Sequence, residues 1–337
     1  MALVLSEDQQ LLKDSAKNFC EQNAPVSVLR GLRDSKDEQG YDQAIWSQII
    51  ELGWAGMTIP EDYGGFDFGY GGLGVVLEET GKTLVSSPLI STVLVGATAI
   101  VQLGNETQKQ DLLPKIVAGE LLTALALDEH TNHNPSKIAT TATKVDGGYA
   151  LNGSKTFVLD GHIANVLIVA ARTSGETIGE QGISLFLVDA NAEGLNVVRT
   201  IMVDSRNSSN IQFNNVVVAE DALLGELDQG FNGLDSVLDI ARIGIAAEML
   251  GSMQAVFESI LEFLKQREQF GVLIGSFQGL QHRAAEMYSE IELCKSAVRA
   301  ALAGLDDPDT TQAERAELAS MTKAKLSEVF FLVSNEG

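Results

Sequence analysis

Arg267, Gln269, Phe270, Ile274, Phe277 and Gln278 fall within one short stretch, REQFGVLIGSFQ (267–278), broken by Gly271 and Gly275. Arginine offers a rigid fork for phosphate oxygens, aromatic rings offer faces, and glycine lets a backbone approach a ligand closely. Together they could grip a planar, phosphorylated cofactor. A plain helix–helix connector is the other reading, with both phenylalanines capping a core and Arg267 and Gln278 solvated. Spacing alone leaves both open. GYGGLG (69–74) satisfies G-x-G-x-x-G, but it follows a loop and no βαβ pattern surrounds it, so its glycines are expected to shape a loop and a helix start. His130 and His133 stand three apart in a loop without a third ligand, so no metal site is expected. No G-x-S-x-G elbow and no G-x-x-x-x-G-K-[ST] loop is present.

The elements that must carry that stretch are two long helices. Leu234, Leu238, Ala241, Ile245, Met249, Met253, Val256, Ile260 and Phe263 recur at helical spacing before it, and Phe277, Leu280, Ala284, Met287, Ile291, Cys294 and Val298 after it. DDPD (306–309) interrupts the second stripe, and a third helix is expected from about 311. Residues 1–120 also read helical, with Ser6 and Gln9 as a capping box and helices at roughly 88–104 and 105–119. Between them, LLTALAL, YALNG, ANVLIVAA, GISLFLV and NIQFNNVVV are short strand-like runs. Gly147-Gly148, Asn152-Gly153 and Asn214-Asn215 are read as turns separating them. The expected fold is α+β multidomain: an N-terminal α-helical domain (1–120), a middle all-β domain (121–232) and a C-terminal α-helical bundle (233–337).

Composition bounds the function classes. The chain has 337 residues and a net charge of −23, which argues against nucleic acid or an anionic membrane surface as partner. No uninterrupted apolar run reaches the ~18 residues that a span needs. The start MALVLSEDQQ lacks a secretory pattern, and Cys20 and Cys294 form no C-x-x-C. A reducing, cytoplasmic setting is expected.

Five ordered motifs resemble one family. REQFGVLIGSFQ resembles the R-x-Q-F-G…F-Q segment of the acyl-CoA dehydrogenases. IPEDYGG (59–65) is similar to that family's PE-x-YGG loop, YALNGSK (149–155) to its Y-x-LNG-x-K hairpin, LLGELDQGF (223–231) to the turn entering its arginine-bearing helix, and LDIARIGIAAEMLG (238–251) to that helix. With the helix–β–helix order, the resemblance covers essentially the whole chain. It implies a flavoprotein of fatty acid metabolism that holds FAD and converts an acyl-CoA thioester to the 2-enoyl-CoA, with hydride passing to the flavin. It further implies a homodimer or homotetramer, an electron-transfer flavoprotein as acceptor, and an R-x-Q-F-G segment that reaches the FAD of the neighbouring subunit. Arg267, Gln269, Phe270, Ile274, Phe277 and Gln278 are then cofactor-binding, and Arg242 with Asp239 is the substrate-side pair.

The departures concern the flavin face. T-E-P-x-x-G-S-D is here DEHTNHNPS (128–136), placing Leu127 and Asp128 at the ring, with Asp128 where a hydroxyl belongs. W-[IV]-[TS]-N-G is FVLDG (157–161), in which Phe157 keeps an aromatic ring and Leu159 lacks the hydroxyl. The first family position for the catalytic base is Ala241, and the second falls past Gly337, so the base is expected beyond that residue and the chain is expected to lack a C-terminal segment. Two alternatives stand beside the dehydrogenase: a non-catalytic subunit completing a hetero-oligomer with a flavin-competent paralogue, and a family oxidase or monooxygenase.

Overall fold

The computed structural model describes residues 4–336. The first residues of the MALVLSEDQQ start, and Gly337, at which the expectation of a missing segment was placed, lie outside the described residues. In chain order the elements are α1 (Glu7–Asn23), α2 (Val26–Ser35), α3 (Gln43–Glu51), α4 (Gly69–Thr83), a π-helical segment (Leu89–Ala97), α5 (Thr98–Leu103) and α6 (Glu106–Val117). Then follow β1 (Thr123–Ala126), β2 (Thr141–Val145), β3 (Gly148–Leu159), β4 (Val166–Arg172), β5 (Ile183–Asp189), β6 (Leu195–Ile201), β7 (Asn207–Ala219) and β8 (Leu223–Leu224). The chain ends with α7 (Gly230–Gln266), β9 (Glu268–Gln269), β10 (Val272–Leu273), α8 (Gln278–Asp306) and α9 (Gln312–Glu336). The helix–β–helix order expected from the sequence is present.

The chain divides into two compact units. One is made of residues 29–67 and 86–238. Its sheet runs β6-β7-β3-β2-β4-β5-β8, with β1 paired in parallel to β4. Most of β7 alternates buried and exposed side chains whereas β4 and β5 are buried almost throughout, and Leu151, Val158, Leu167, Val169, Phe186, Ile211 and Phe213 belong to the core. Asn105 and Gln108 make a capping box on α6. Gln108 then donates to the carbonyls of Asp221 (2.8 Å) and Leu223 (2.9 Å), tying that helix to the end of the sheet. Two sequence expectations need correction here. Asn152-Gly153 and Asn214-Asn215 are not turns; they face each other inside the β3–β7 pair, where the register shifts between Leu151 and Gly153. Asn215 has φ 56° and its backbone N–H donates to Asn152 Oδ1 at 2.8 Å. An Asn-Gly dipeptide in a strand interior makes a bulge when both flanks stay paired.

The other unit comprises residues 1–28, 68–85 and 239–337. Ser6 and Gln9 form the expected capping box on α1. The GYGGLG glycines do open a helix: α4 begins at Gly69, and the Asp306 carboxylate accepts the N–H groups of Tyr70 and Gly71, both at 2.7 Å. A carboxylate there also meets the positive end of the helix dipole. Buried Glu78 on α4 accepts from Lys13 (2.5 Å) and Arg299 (2.6 Å), so its charge is compensated on two sides. By length and hydropathy alone α7 is apolar enough to cross a membrane, despite Asp235, Asp239, Arg242 and Glu248 along it; two thirds of its most apolar window is buried within the protein. Cys20 and Cys294 are both free thiols. Burial pushes Cys20 up to about 12 and Cys294 to about 11.

Candidate functional site

Each unit carries one cluster of the residues singled out in the sequence. In the sheet-bearing unit, Leu127 and Asp128 leave β1 beside residues 155–157 of β3. The Thr156 N–H donates to the Asp128 carbonyl at 2.7 Å. The register between β3 and β7 shifts again between Lys155 and Val158, and Phe157 sits at φ 53° with its ring 48% exposed. A bulky residue at positive φ is strained, and the bulge around it turns the ring outward instead of into the core. Leu159 is half-buried at the end of β3, opposite Ser208.

Two residues to which the sequence reading gave no role hold this face together. Lys155 is fully buried, and its Nζ donates to the Leu127 carbonyl (2.9 Å) and to Glu129 Oε1 (2.8 Å). Glu129 also accepts the N–H groups of Ala139 (2.7 Å) and Thr140 (2.9 Å). One carboxylate therefore closes the loop 130–138 at its base. Burial alone would raise the Glu129 carboxyl, but Lys155 and Thr140 outweigh it and hold it below its ordinary value. Burial pulls the Lys155 ammonium down to about 8, with Glu129 opposing. Lys155 closes the Y-x-LNG-x-K motif, so the signal was present; its partner becomes visible only once β1 lies beside β3. Within the loop, His133 Nδ1 lies 3.1 Å and 3.0 Å from the two carboxylate oxygens of Asp128. Among the described residues no group of three or more side chains is arranged to hold a metal ion.

In the helical unit, 267–278 is a hairpin. β9 pairs with β10, Gln269 opposite Val272, around Phe270 (φ 54°) and Gly271 (φ 80°). Two successive positive φ values make the tight turn whose twist suits a two-residue hairpin loop. Phe270 is 94% exposed and meets Phe277 edge-on at 6.3 Å between centroids. Arg267, Gln269 and Gln278 are exposed and Ile274 is half-buried. Among the described residues no carboxylate is paired with Arg267, whose side chain is exposed while its backbone N–H donates to the Phe263 carbonyl at 2.9 Å. On α7, Arg242 Nη1 contacts Asp239 Oδ1 at 2.6 Å, so the two residues expected to act together do form a pair, and Gln312 donates to the second Asp239 oxygen at 3.3 Å. Ala241, between them in sequence, is buried.

These residues fit FAD unevenly. The hairpin suits a pyrophosphate and a flat ring system: an unengaged guanidinium, amides, and an aromatic ring left in water at a cost that only a partner would relieve. At the ring end, the Phe157 ring is presented, Leu159 offers no donor, and the Asp128 carboxylate is engaged by His133. The donor set therefore fits the group, with its ring end altered.

Comparison with known proteins agrees. The acyl-CoA dehydrogenase N-terminal, middle and C-terminal domains match residues 6–120, 125–216 and 228–337. The mitochondrial 2-methylacyl-CoA dehydrogenase of Solanum tuberosum is 32% identical over 314 residues, covering 91% of this chain and 75% of that one. The butyryl-CoA dehydrogenase of Megasphaera elsdenii superposes with a TM-score of 0.88 at 29% identity, over 100% of this chain and 88% of that one. A chain from a structure described as the electron transferring flavoprotein of Acidaminococcus fermentans gives 0.87 at 30%, over 100% and 88%. The chain belongs to the acyl-CoA dehydrogenase family, FAD-dependent oxidoreductases that act on acyl-CoA thioesters.

Proposed function

We propose that this protein holds FAD and takes part in the α,β-dehydrogenation of an acyl-CoA thioester to its 2-enoyl-CoA. The exposed hairpin carries the reading: the Arg267 side chain is exposed, and Phe270 is 94% exposed with Phe277 edge-on beside it. Arg267 would take a pyrophosphate oxygen, with Gln269, Phe270, Ile274, Phe277 and Gln278 beside it. Leu127, Asp128, Phe157 and Leu159 would meet the ring. Bound FAD supplies the acceptor for the hydride that leaves the β-carbon. Arg242, held by Asp239, would stand on the substrate side of the flavin. The position ahead of it, Ala241, offers no proton acceptor. Phe263, Phe270, Val272, Leu273 and Phe277 are all exposed at and beside the hairpin. An apolar patch of this kind supports a second subunit covering it, in a homodimer or homotetramer. The likeness to a chain from a structure described as an electron transferring flavoprotein supports such a protein as electron acceptor.

A second reading rests on Asp128, Leu159 and Ala241. In it the protein is the non-catalytic subunit of a hetero-oligomer, lending its hairpin to a paralogue. Flavin absorbance of the purified protein and FAD titration separate the two. The dehydrogenase reading expects a flavin band, and Arg267→Ala should weaken FAD binding roughly 10- to 150-fold, the worth of one charge-assisted hydrogen bond. A colourless protein that takes up no FAD alone but restores flavin binding to a co-expressed paralogue would establish the second.

A further inference from the structure

We propose that His133 is the hydrogen-bond donor that moderates the Asp128 carboxylate at the flavin face, and that this pair sets the electron affinity of the bound ring in place of the hydroxyl the family carries there. The inference rests on the FAD reading above. A fixed carboxylate beside a ring that gains electron density on reduction opposes that reduction, and a hydrogen-bond donor on the carboxylate offsets part of it.

Lys155 lies near enough to feel the Asp128 charge, but among the described residues His133 is the side chain hydrogen-bonded to that carboxylate. The Asp128 carboxylate accepts His133 Nδ1 at 3.1 Å and 3.0 Å, and otherwise only the Asn134 N–H at 3.4 Å. A carboxylate is an acceptor, so Nδ1 must carry the proton. The His133 side chain is 50% exposed, with Nδ1 the ring nitrogen turned to Asp128. The other charged groups near this loop are committed elsewhere. The Lys155 ammonium binds Glu129 and the Leu127 carbonyl, and Glu129 binds Lys155 and the backbone of Ala139 and Thr140. His130 is exposed and gives only its carbonyl, to the Thr156 hydroxyl. The loop base closed by Glu129 keeps His133 within reach of Asp128. His133 is thus a positioning residue, acting on the ring only through that carboxylate.

The test is the midpoint potential of the FAD-loaded protein, read by reductive titration against a reference dye. At a fixed potential Asp128→Asn should move the reduced-to-oxidised ratio about tenfold upward, equivalent to about 30 mV for a two-electron couple. His133→Gln should move it downward by a similar factor, and His133→Arg should restore it. In the Asp128→Asn background, His133→Gln should change nothing further. A loop that matters only for folding would instead shift melting temperature and FAD affinity without opposite shifts in potential. Equal or same-direction shifts of the two single variants, or an effect of His133→Gln that survives Asp128→Asn, overturn the proposal alone. Failure of the wild type to bind FAD overturns it together with the reading it rests on.

Discussion

Asp160 shows how one substitution in a family motif changes local energetics. It stands where the W-[IV]-[TS]-N-G pattern has asparagine, is 6% exposed, and accepts the Ser91 hydroxyl at 2.6 Å. Burial pushes its carboxyl up to about 6; the Ser91 and Asn207 hydrogen bonds and the Arg206 charge only partly oppose this. A carboxyl raised on folding binds protons more tightly in the native than in the unfolded chain. Stability is therefore lost as pH rises from about 4 to about 6, and the ionised group is a net cost at neutral pH. Asp160→Asn keeps an acceptor for Ser91 and removes the charge. It should raise stability at pH 7 by about 1–3 kcal/mol, with the gain fading below pH 4. Denaturant melts at both pH values check this; a variant no more stable at pH 7 would mean that the Arg206 attraction offsets the burial cost.

At the scale of elements, α4 and α7 cross so closely that their backbones touch. A Cβ on Gly251 would fall well inside the contact shell of the Glu78 carbonyl, and one on Gly81 inside that of Glu248. Elsewhere in a helix, glycine to alanine is a gain. Gly31 on α2 has nothing within 4 Å, so Gly31→Ala should stabilise by about 0.5–1 kcal/mol. Gly251→Ala has the same propensity gain, yet should destabilise by about 1–3 kcal/mol because the two helices must separate. Thermal melts of the two variants should shift in opposite directions. A stabilised Gly251→Ala would show that this crossing opens without cost.

For the whole molecule, the question is whether the hairpin serves its own subunit's cofactor or its neighbour's. A mixed dimer tests it, pairing one Arg267→Ala subunit with one Leu159→Glu subunit. Action across the interface places both lesions in one site, leaving the second site with normal FAD affinity, and that is the expected result. FAD titration finding no high-affinity site would mean that each site holds one lesion and that the hairpin acts within its own subunit.

Helix and strand periods, the Ser6–Gln9 box and the five motifs were legible in the chain because each depends on neighbours a few residues apart. They determined the helix–β–helix order and the family, while the exposure of Phe270 came from the tertiary structure. The pairing of Arg242 with Asp239 was expected from the family resemblance, and the structure shows it as a contact between residues three apart on one helix. Asn152-Gly153 and Asn214-Asn215 were misread because a turn and a bulge use the same residues, and only the strand opposite decides between them. Lys155 with Glu129, His133 with Asp128, and Asp306 on the N-terminus of α4 were not legible. Glu129, Asp128 and Lys155 carry no mark in sequence of what they face, and Asp306 reaches a helix 235 residues away along the chain. Tertiary structure decided these, because a charge in a protein interior takes its partner from whatever the packing brings within hydrogen-bond reach, at any separation in sequence.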